Sequence, residues 1–411
     1  MGYSRWSFVY IRIACLVLLA LLFWAGLAGC SDGWRYVKQE ELFFIDLGKM
    51  DRNINLFHDE GEPFNERSDI RMEDGLVWVL NRNANKIMTF TSYGDLVSLL
   101  YDPDENPVPV NFTDNDSEDL VSSRRAIPYQ FNRIGWFALD SNRNILVEDQ
   151  LPRDRWKKDD EMGVMLNRII LRFSSKGEPI DYLGQDGPRG MAFPYIYRME
   201  ITRNDEIVVV SRVPDRWLVY WFSPGGQHIS TVEIPVYRLP MPEENLVPSL
   251  QDIFADPKMR RIYLKIDYYQ RKLDDITGGV EGVDQVKSMI YWMDLEEGVY
   301  REGVEVPRNV VKEGDSLLDQ TEQSYSYTLL GVPDTGLLLL MSEEPDGVVQ
   351  LVLLRTDGKV IRRRYIEVPQ EEVVFRRLHL GHSGILVGLF GYSNGAAVHW
   401  WRTDAMLPYR R

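Results

Sequence analysis

The sequence predicts an all-β fold: a six-bladed β-propeller whose last blade is closed by a strand from the N-terminal side of the chain. Three observations carry this. Past residue 40 the chain offers short runs rich in Val, Ile, Tyr, Phe and Trp, separated by Gly, Asp, Asn and Pro, and no segment reads as a long amphipathic helix. A unit of four such runs recurs six times. The sixth unit has little chain left for a fourth run, while the apolar stretch 42–48, ahead of the first unit, has no unit of its own.

Each unit is marked twice. A tight turn precedes a very apolar second strand at 73–79, 141–147, 203–209, 257–264, 333–340 and 381–388. An aromatic- or Met/Leu-ended third strand runs into a polar turn, with glycine in five of the six copies, at 90–94, 173–177, 222–226, 293–298, 354–358 and 401–405. The two marks stay in step, although successive third-strand marks lie 47 to 83 residues apart, so the units are regular and their loops are not. The fullest copy covers 133–184. Units that cannot bury both faces alone stack radially, which leaves only short, protected edges. Segment 42–48 then supplies the missing fourth strand and ties the two ends of the chain together.

Composition limits the function. Of 411 residues, 44% are hydrophobic and 27% charged, a globular balance that excludes a disordered, collagen-like or polytopic membrane chain. Acids outnumber bases 62 to 47, for a net charge of −15. A general nucleic-acid binder needs the opposite balance, because Lys and Arg neutralising phosphates supply most of that affinity. Two cysteines exclude a disulfide framework and any zinc site built on several thiolates.

The first thirty residues read as an address. Arg5 and Arg12 precede an apolar run from Ile13 to Trp24, which ends in Leu27-Ala28-Gly29-Cys30. This resembles the lipobox of bacterial lipoproteins at all four positions. The resemblance implies cleavage before Cys30, lipid on its thiol and residence in the bacterial cell envelope, on the periplasmic face or the outer membrane. The expected organisation is a signal peptide at 1–29, the lipidated cysteine with a short linker at 30–40, and one propeller domain at 41–411. Cleavage removes Arg5, Arg12 and Cys15, so the mature chain is more acidic and carries no free thiol. An acidic body is repelled by anionic lipid, so membrane contact is expected through the lipid anchor alone. The fullest copies, with the Gly-rich stretch 183–194 linking them, are also similar to the NHL-type six-bladed propeller.

Candidate sites are few. The acidic stretch 114–119 suggests a calcium loop, but it lacks the glycine and closing glutamate of an EF-hand and reads better as a solvated loop. His379 and His382 fall on a first strand and the turn after it, so their rings do not share a helical face for a metal. No histidine pairs with a Ser or Cys at a recognisable catalytic spacing, and no cofactor is expected. Most tryptophans lie in strand runs and suit packing, whereas Trp34 and Trp156 lie in charged segments and suit surface contacts.

The first strands carry an arginine bias: Arg67, Arg71, Arg133, Arg198, Arg376 and Arg377. Innermost strands line a propeller's channel, so these cations would ring one opening and attract carboxylate or phosphate. Alternatively each pairs with a nearby acid such as Asp69, Glu73 or Glu200. Counting back from the tight turns puts Arg67, Arg198 and Arg376 in one slot at the channel mouth. The functional expectation is a non-catalytic envelope platform that binds another envelope protein or an anionic ligand. The alternative is a propeller enzyme, a metal-dependent lactonase or a sugar dehydrogenase, drawing on the channel-strand acids Glu73, Glu200 and Asp252.

Overall fold

A computed structural model describes residues 35–57, 68–110, 112, 124–273, 280–313, 321–344 and 347–408. The described chain is almost entirely strand, arranged as six antiparallel blades around a central channel. Blade 1 is built from Asp69–Glu73, Leu76–Asn81, Lys86–Thr91 and Leu96–Tyr101, with Arg125–Pro128 added in parallel. Blade 2 comprises Phe137–Leu139, Ile145–Gln150, Arg168–Phe173, Pro179–Gly184 and the short Gly187–Pro188. Blade 3 runs Ile196–Ile201, Ile207–Arg212, Arg216–Phe222 and His228–Pro235. Blade 4 uses Val247–Ala255, Arg261–Leu273, Val280–Asp294 and Val304–Glu305. Blade 5 comprises Thr328–Gly331, Leu338–Glu343, Val348–Leu354 and Val360–Glu367. Blade 6 has only Phe375–Leu380, Leu386–Tyr392 and Gly395–Trp401 from its own stretch of chain.

Both sequence marks fall where expected. In five copies the glycine ending the third-strand mark has a positive φ: Gly94, Gly177, Gly226, Gly298 and Gly358 lie between 62° and 85°. Glycine adopts that conformation without strain. At Gly94 a Cβ would also lie 2.8 Å from the Phe43 side chain, so this turn closes directly onto the neighbouring blade. The sixth copy has Ala405 instead, and its chain turns into a short 3₁₀ helix, Thr403–Met406. That is why blade 6 makes no fourth strand of its own.

The N-terminal strand takes that place. Gln39–Asp46 pairs antiparallel with Gly395–Trp401, from Gln39 opposite Trp401 to Asp46 opposite Gly395. The pairing begins three residues earlier than the sequence indicated. Side chains reinforce it: Gln39 Nε2 lies 2.8 Å from His399 Nδ1, and Trp400 Nε1 donates to Glu40 Oε2 at 3.0 Å. Six apolar clusters result, one between each pair of neighbouring blades. Ile45 belongs to the cluster joining blades 6 and 1, with Val387, Leu389, Val77 and Val79.

Two features went unread in the sequence. The middle strands of blade 4 extend to 13 and 15 residues, far longer than their counterparts, and a separate hairpin joins Asn309–Glu313 to Thr321–Tyr325. Trp156 is not a surface contact. It is partly buried against the blade 1–2 cluster, with its Nε1 donating to the Leu151 carbonyl at 2.6 Å. Cys30, Trp34, Arg67 and the acidic stretch 114–119 lie outside the described residues.

Ring closure makes a firm expectation. Ile45 is 2% exposed, and Ile45→Ala should lower the unfolding free energy by about 2–5 kcal/mol in a denaturant titration. A chain starting at Lys49 should lose cooperative melting and aggregate, because the edge of Gly395–Trp401 is then bare. If the shortened chain melts like the parent, the closed ring is refuted.

Candidate functional site

The first strands are innermost, and residues from all six blades line the cavity at the centre. Their side chains alternate, so every second residue faces the channel. Arg71 and Glu73 do so from blade 1, Arg198 and Glu200 from blade 3, and Arg377 and His379 from blade 6. Two cavities lie along the axis. A mouth cavity of about 550 Å³ opens where the first strands begin, and an inner cavity of about 150 Å³ lies towards the tight turns. Arg198 lines both.

A compensated charge layer lies between the two cavities. Asp69, 2% exposed, is ion-paired with Arg71, whose Nη1 lies 2.7 Å from Oδ2 while donating to the Ile70 carbonyl, and its Oδ1 accepts from Arg377 Nε at 3.0 Å. Arg198 grips Asp252 with two nitrogens, at 3.1 and 2.6 Å, and stacks 3.8 Å from the Phe254 ring centre. Glu200 lies 3.8 Å from Arg198 and accepts the Ala255 N–H at 2.7 Å. Arg377 sits 4.3 Å over the Trp136 ring.

Titration follows from this packing. Burial alone would raise the Asp69 carboxyl, but Arg71 and Arg377 outweigh it and hold it below the usual carboxylate range. Glu200 has weaker help: burial pushes its carboxyl up to about 7, against the pull of Arg198 and the Ala255 N–H. His379 is pushed well below its ordinary value, first by burial and then by Arg71 and Arg377, so it is neutral at pH 7. His382 lies on the following turn, its Nε2 2.6 Å from the Ile201 carbonyl. Among the described residues, no three His, Cys, Asp or Glu side chains converge as a metal site.

Of the two readings of the first-strand arginines, an open positive ring and pairing with nearby acids, the described residues show the pairing. Three arginines do meet at the axis, but they are Arg71, Arg198 and Arg377, and Asp69, Asp252 and Glu200 offset them. Arg376 is one residue out of register. In blade 6 the strand pairing begins at Leu380 opposite Leu386, not at Ile385, and a one-residue slip sends a side chain to the other face. Arg376 consequently bonds Glu343 of blade 5 at the rim of the mouth cavity, with both side chains more than a third exposed. Arg133 precedes its strand rather than lying in it, and its backbone N–H donates to Asp149.

Sequence reasoning also missed the aromatic wall of the mouth: Trp136, Tyr195, Tyr197 and Phe375. All four lie in or just before first strands, but they come from three different blades, so no linear motif gathers them. Trp136 Nε1 is buried with no hydrogen-bond partner among the described residues.

No protein family profile matches this chain, and no curated protein does. Among solved structures it is similar to the β-propeller domain of the Trilobed protease from Pyrococcus furiosus. That match has 11% identity and a TM-score of 0.38, covering 82% of this chain and 94% of that one. It is also similar to the calcium-binding protein regucalcin from Agrobacterium tumefaciens, at 10% identity and a TM-score of 0.36, covering 81% and 88%. An ulvan lyase of polysaccharide lyase family 25 gives 11% and 0.39, covering 89% and 84%. At these values the likeness is one of chain course alone.

Two expectations test the charge layer. Asp69→Asn leaves Arg71 and Arg377 facing each other without their buried counter-charge and should cost about 3–5 kcal/mol. Glu343→Gln, which breaks the exposed pair with Arg376, should cost about 1 kcal/mol at most. Comparable losses in the two denaturation curves would mean the layer is not the buried network described.

Glu200 adds a pH signature. A carboxyl whose folded value is raised binds more protons in the folded state, so its contribution to stability falls as pH rises from 4.5 through about 7. Glu200→Gln should therefore gain on the parent by about 3 kcal/mol between pH 4 and pH 8. A difference that stays flat over this range would place the carboxyl in an ordinary, solvated setting.

Proposed function

We propose that this chain is a lipoprotein of the bacterial cell envelope, anchored through Cys30. Its propeller, of the NHL type, serves as a non-catalytic binding platform. The observation that supports this reading is the mouth cavity. Its volume lies within the range of ligand sites, and an aromatic wall there meets Arg377 over a salt-bridged floor. Arg377 is committed to Asp69 through Nε, and its terminal nitrogens make no hydrogen bond among the described residues. A guanidinium edge beside a tryptophan face suits a carboxylate or phosphate carried next to a ring or an apolar group. The ligand is then an anionic small molecule or an anionic segment of another envelope protein.

A second reading, a propeller enzyme, draws on one feature: Glu200, raised to about 7 in the inner cavity that the neutral His379 also lines. Stoichiometric metal in the purified protein would favour it.

Crosslinking in whole envelopes tests the platform. Arg376→Gln with Arg377→Gln should lose partner capture, measured well below the melting temperature of the variant because Arg377 also holds the buried Asp69. Capture by the parent should weaken as salt rises, since the rim charges are exposed. Capture by the double variant at the parental level would move the site off the mouth. Anchoring has its own test: Cys30→Ser should carry no acyl group, and a parent protein without acyl modification would refute the lipid anchor.

A further inference from the structure

A second site lies on the opposite side of the ring from the mouth. A cavity of about 290 Å³ opens between blades 1 and 2 near their tight turns. Arg125, Arg143 and Lys176 line it, all three are exposed, and none makes an ion pair with another described residue. We propose that this groove binds a single-chain amphiphile with an anionic head, a phosphate or a carboxylate, its apolar part lying against Leu76 and Ile127.

The cations are brought together by construction. Arg125 opens the fifth strand of blade 1, which runs parallel to the fourth and sets Arg125 opposite Ser98. Arg143 sits in the first tight turn of blade 2 with φ at 62°, and Lys176 in the turn after its third strand. Asn144 fastens these two turns together: its Nδ2 donates to Asp140 at 2.7 Å, and its Oδ1 accepts from the Ser175 N–H at 3.0 Å. Gly177 then lets blade 2 close on blade 1. Its φ is 83°, and a Cβ there would lie 2.8 Å from the Ile127 side chain.

The nearby acid Asp140 is already engaged, accepting from the N–H groups of Asn142 and Asn144 and from Asn144 Nδ2. Three convergent cations without acid partners among the described residues attract an anion even in a chain of net charge −15. The walls specify the rest of the ligand. Leu76 and Ile127 are half-buried, Trp78 at 3% exposure lies behind them, and an inorganic anion would cover neither Leu76 nor Ile127. A volume at the lower end of ligand sites suits one alkyl chain or one small ring.

Titration of the purified full chain with octyl phosphate, inorganic phosphate and octyl glucoside tests this. Octyl phosphate should bind best. Its affinity should fall at least tenfold when Arg125, Arg143 and Lys176 are all replaced by Gln, with an unchanged melting curve because the three are exposed. Arg376→Gln with Arg377→Gln should leave it unchanged, which separates this groove from the mouth. Equal binding of octyl glucoside, equal binding of inorganic phosphate, or an unaffected triple variant would each overturn the proposal. Neutralising Asp114, Asp116, Glu118 and Asp119 should change the affinity by less than twofold. A tenfold tightening would show that the chain's own acidic stretch fills the groove, and would overturn the proposal as well.

Discussion

The pairing of Gln39–Asp46 with Gly395–Trp401 is the contact on which the ring depends. Each blade has two apolar faces, and the only thing available to cover either is the next blade. Six blades therefore need six interfaces, and the one between blades 6 and 1 is completed by a strand from the far end of the chain. Lys86 shows how closely the segment after that strand is held. Its ammonium is buried in blade 1 and donates to the Met50 carbonyl at 2.7 Å; burial lowers it to about 8, against the pull of Asp51. A buried cation of this kind persists only where the surrounding backbone satisfies it.

Radial packing has a second consequence, at the axis. First strands from six blades converge there, and half of their side chains have nowhere to point but the channel. In this protein charged groups from blades 1, 3, 4 and 6 share that space with aliphatic side chains such as Leu139, Leu330 and Leu380. Buried charges are tolerated when each has a partner and its remaining hydrogen-bonding atoms are engaged. Asp252 meets that condition with three donors, whereas Asp69 accepts two hydrogen bonds at Oδ1 and holds Oδ2 by its ion pair with Arg71 alone. Glu200 meets it less well, and burial displaces its carboxyl upward, as it does that of Glu73. The layer is thus both a structural plug and the floor of the mouth cavity.

The two sides of the ring differ in their electrostatics. At the mouth, cations are largely spent on acids, and an anion finds mainly the outer edge of Arg377 beside aromatic rings. At the turn side, between blades 1 and 2, three cations have no acid partner among the described residues. The difference arises because first strands carry acids in alternating register with their arginines, whereas the turns of blade 2 use Asp140 for their own backbone.

The sequence by itself determined the all-β class, the number of blades, both turns of each blade and the need for a closing strand. These rest on local physics: alternating apolar runs, glycines at positive φ and Asp or Asn in tight turns act within a few residues and leave a readable period. The same reading placed arginines in the channel strands but chose Arg376 where Arg377 faces the axis, because register is settled by cross-strand pairing and not by counting along one strand. Only tertiary structure decided which acids meet which arginines. Asp69 holds Arg377 across 308 positions of sequence, and Arg198 reaches Asp252 across 54. It also decided that Trp136, Tyr195 and Phe375 share one wall, and that Arg125, Arg143 and Lys176 share one groove. Each grouping joins residues from different blades or different turns, and no spacing along the chain encodes how neighbouring blades pack.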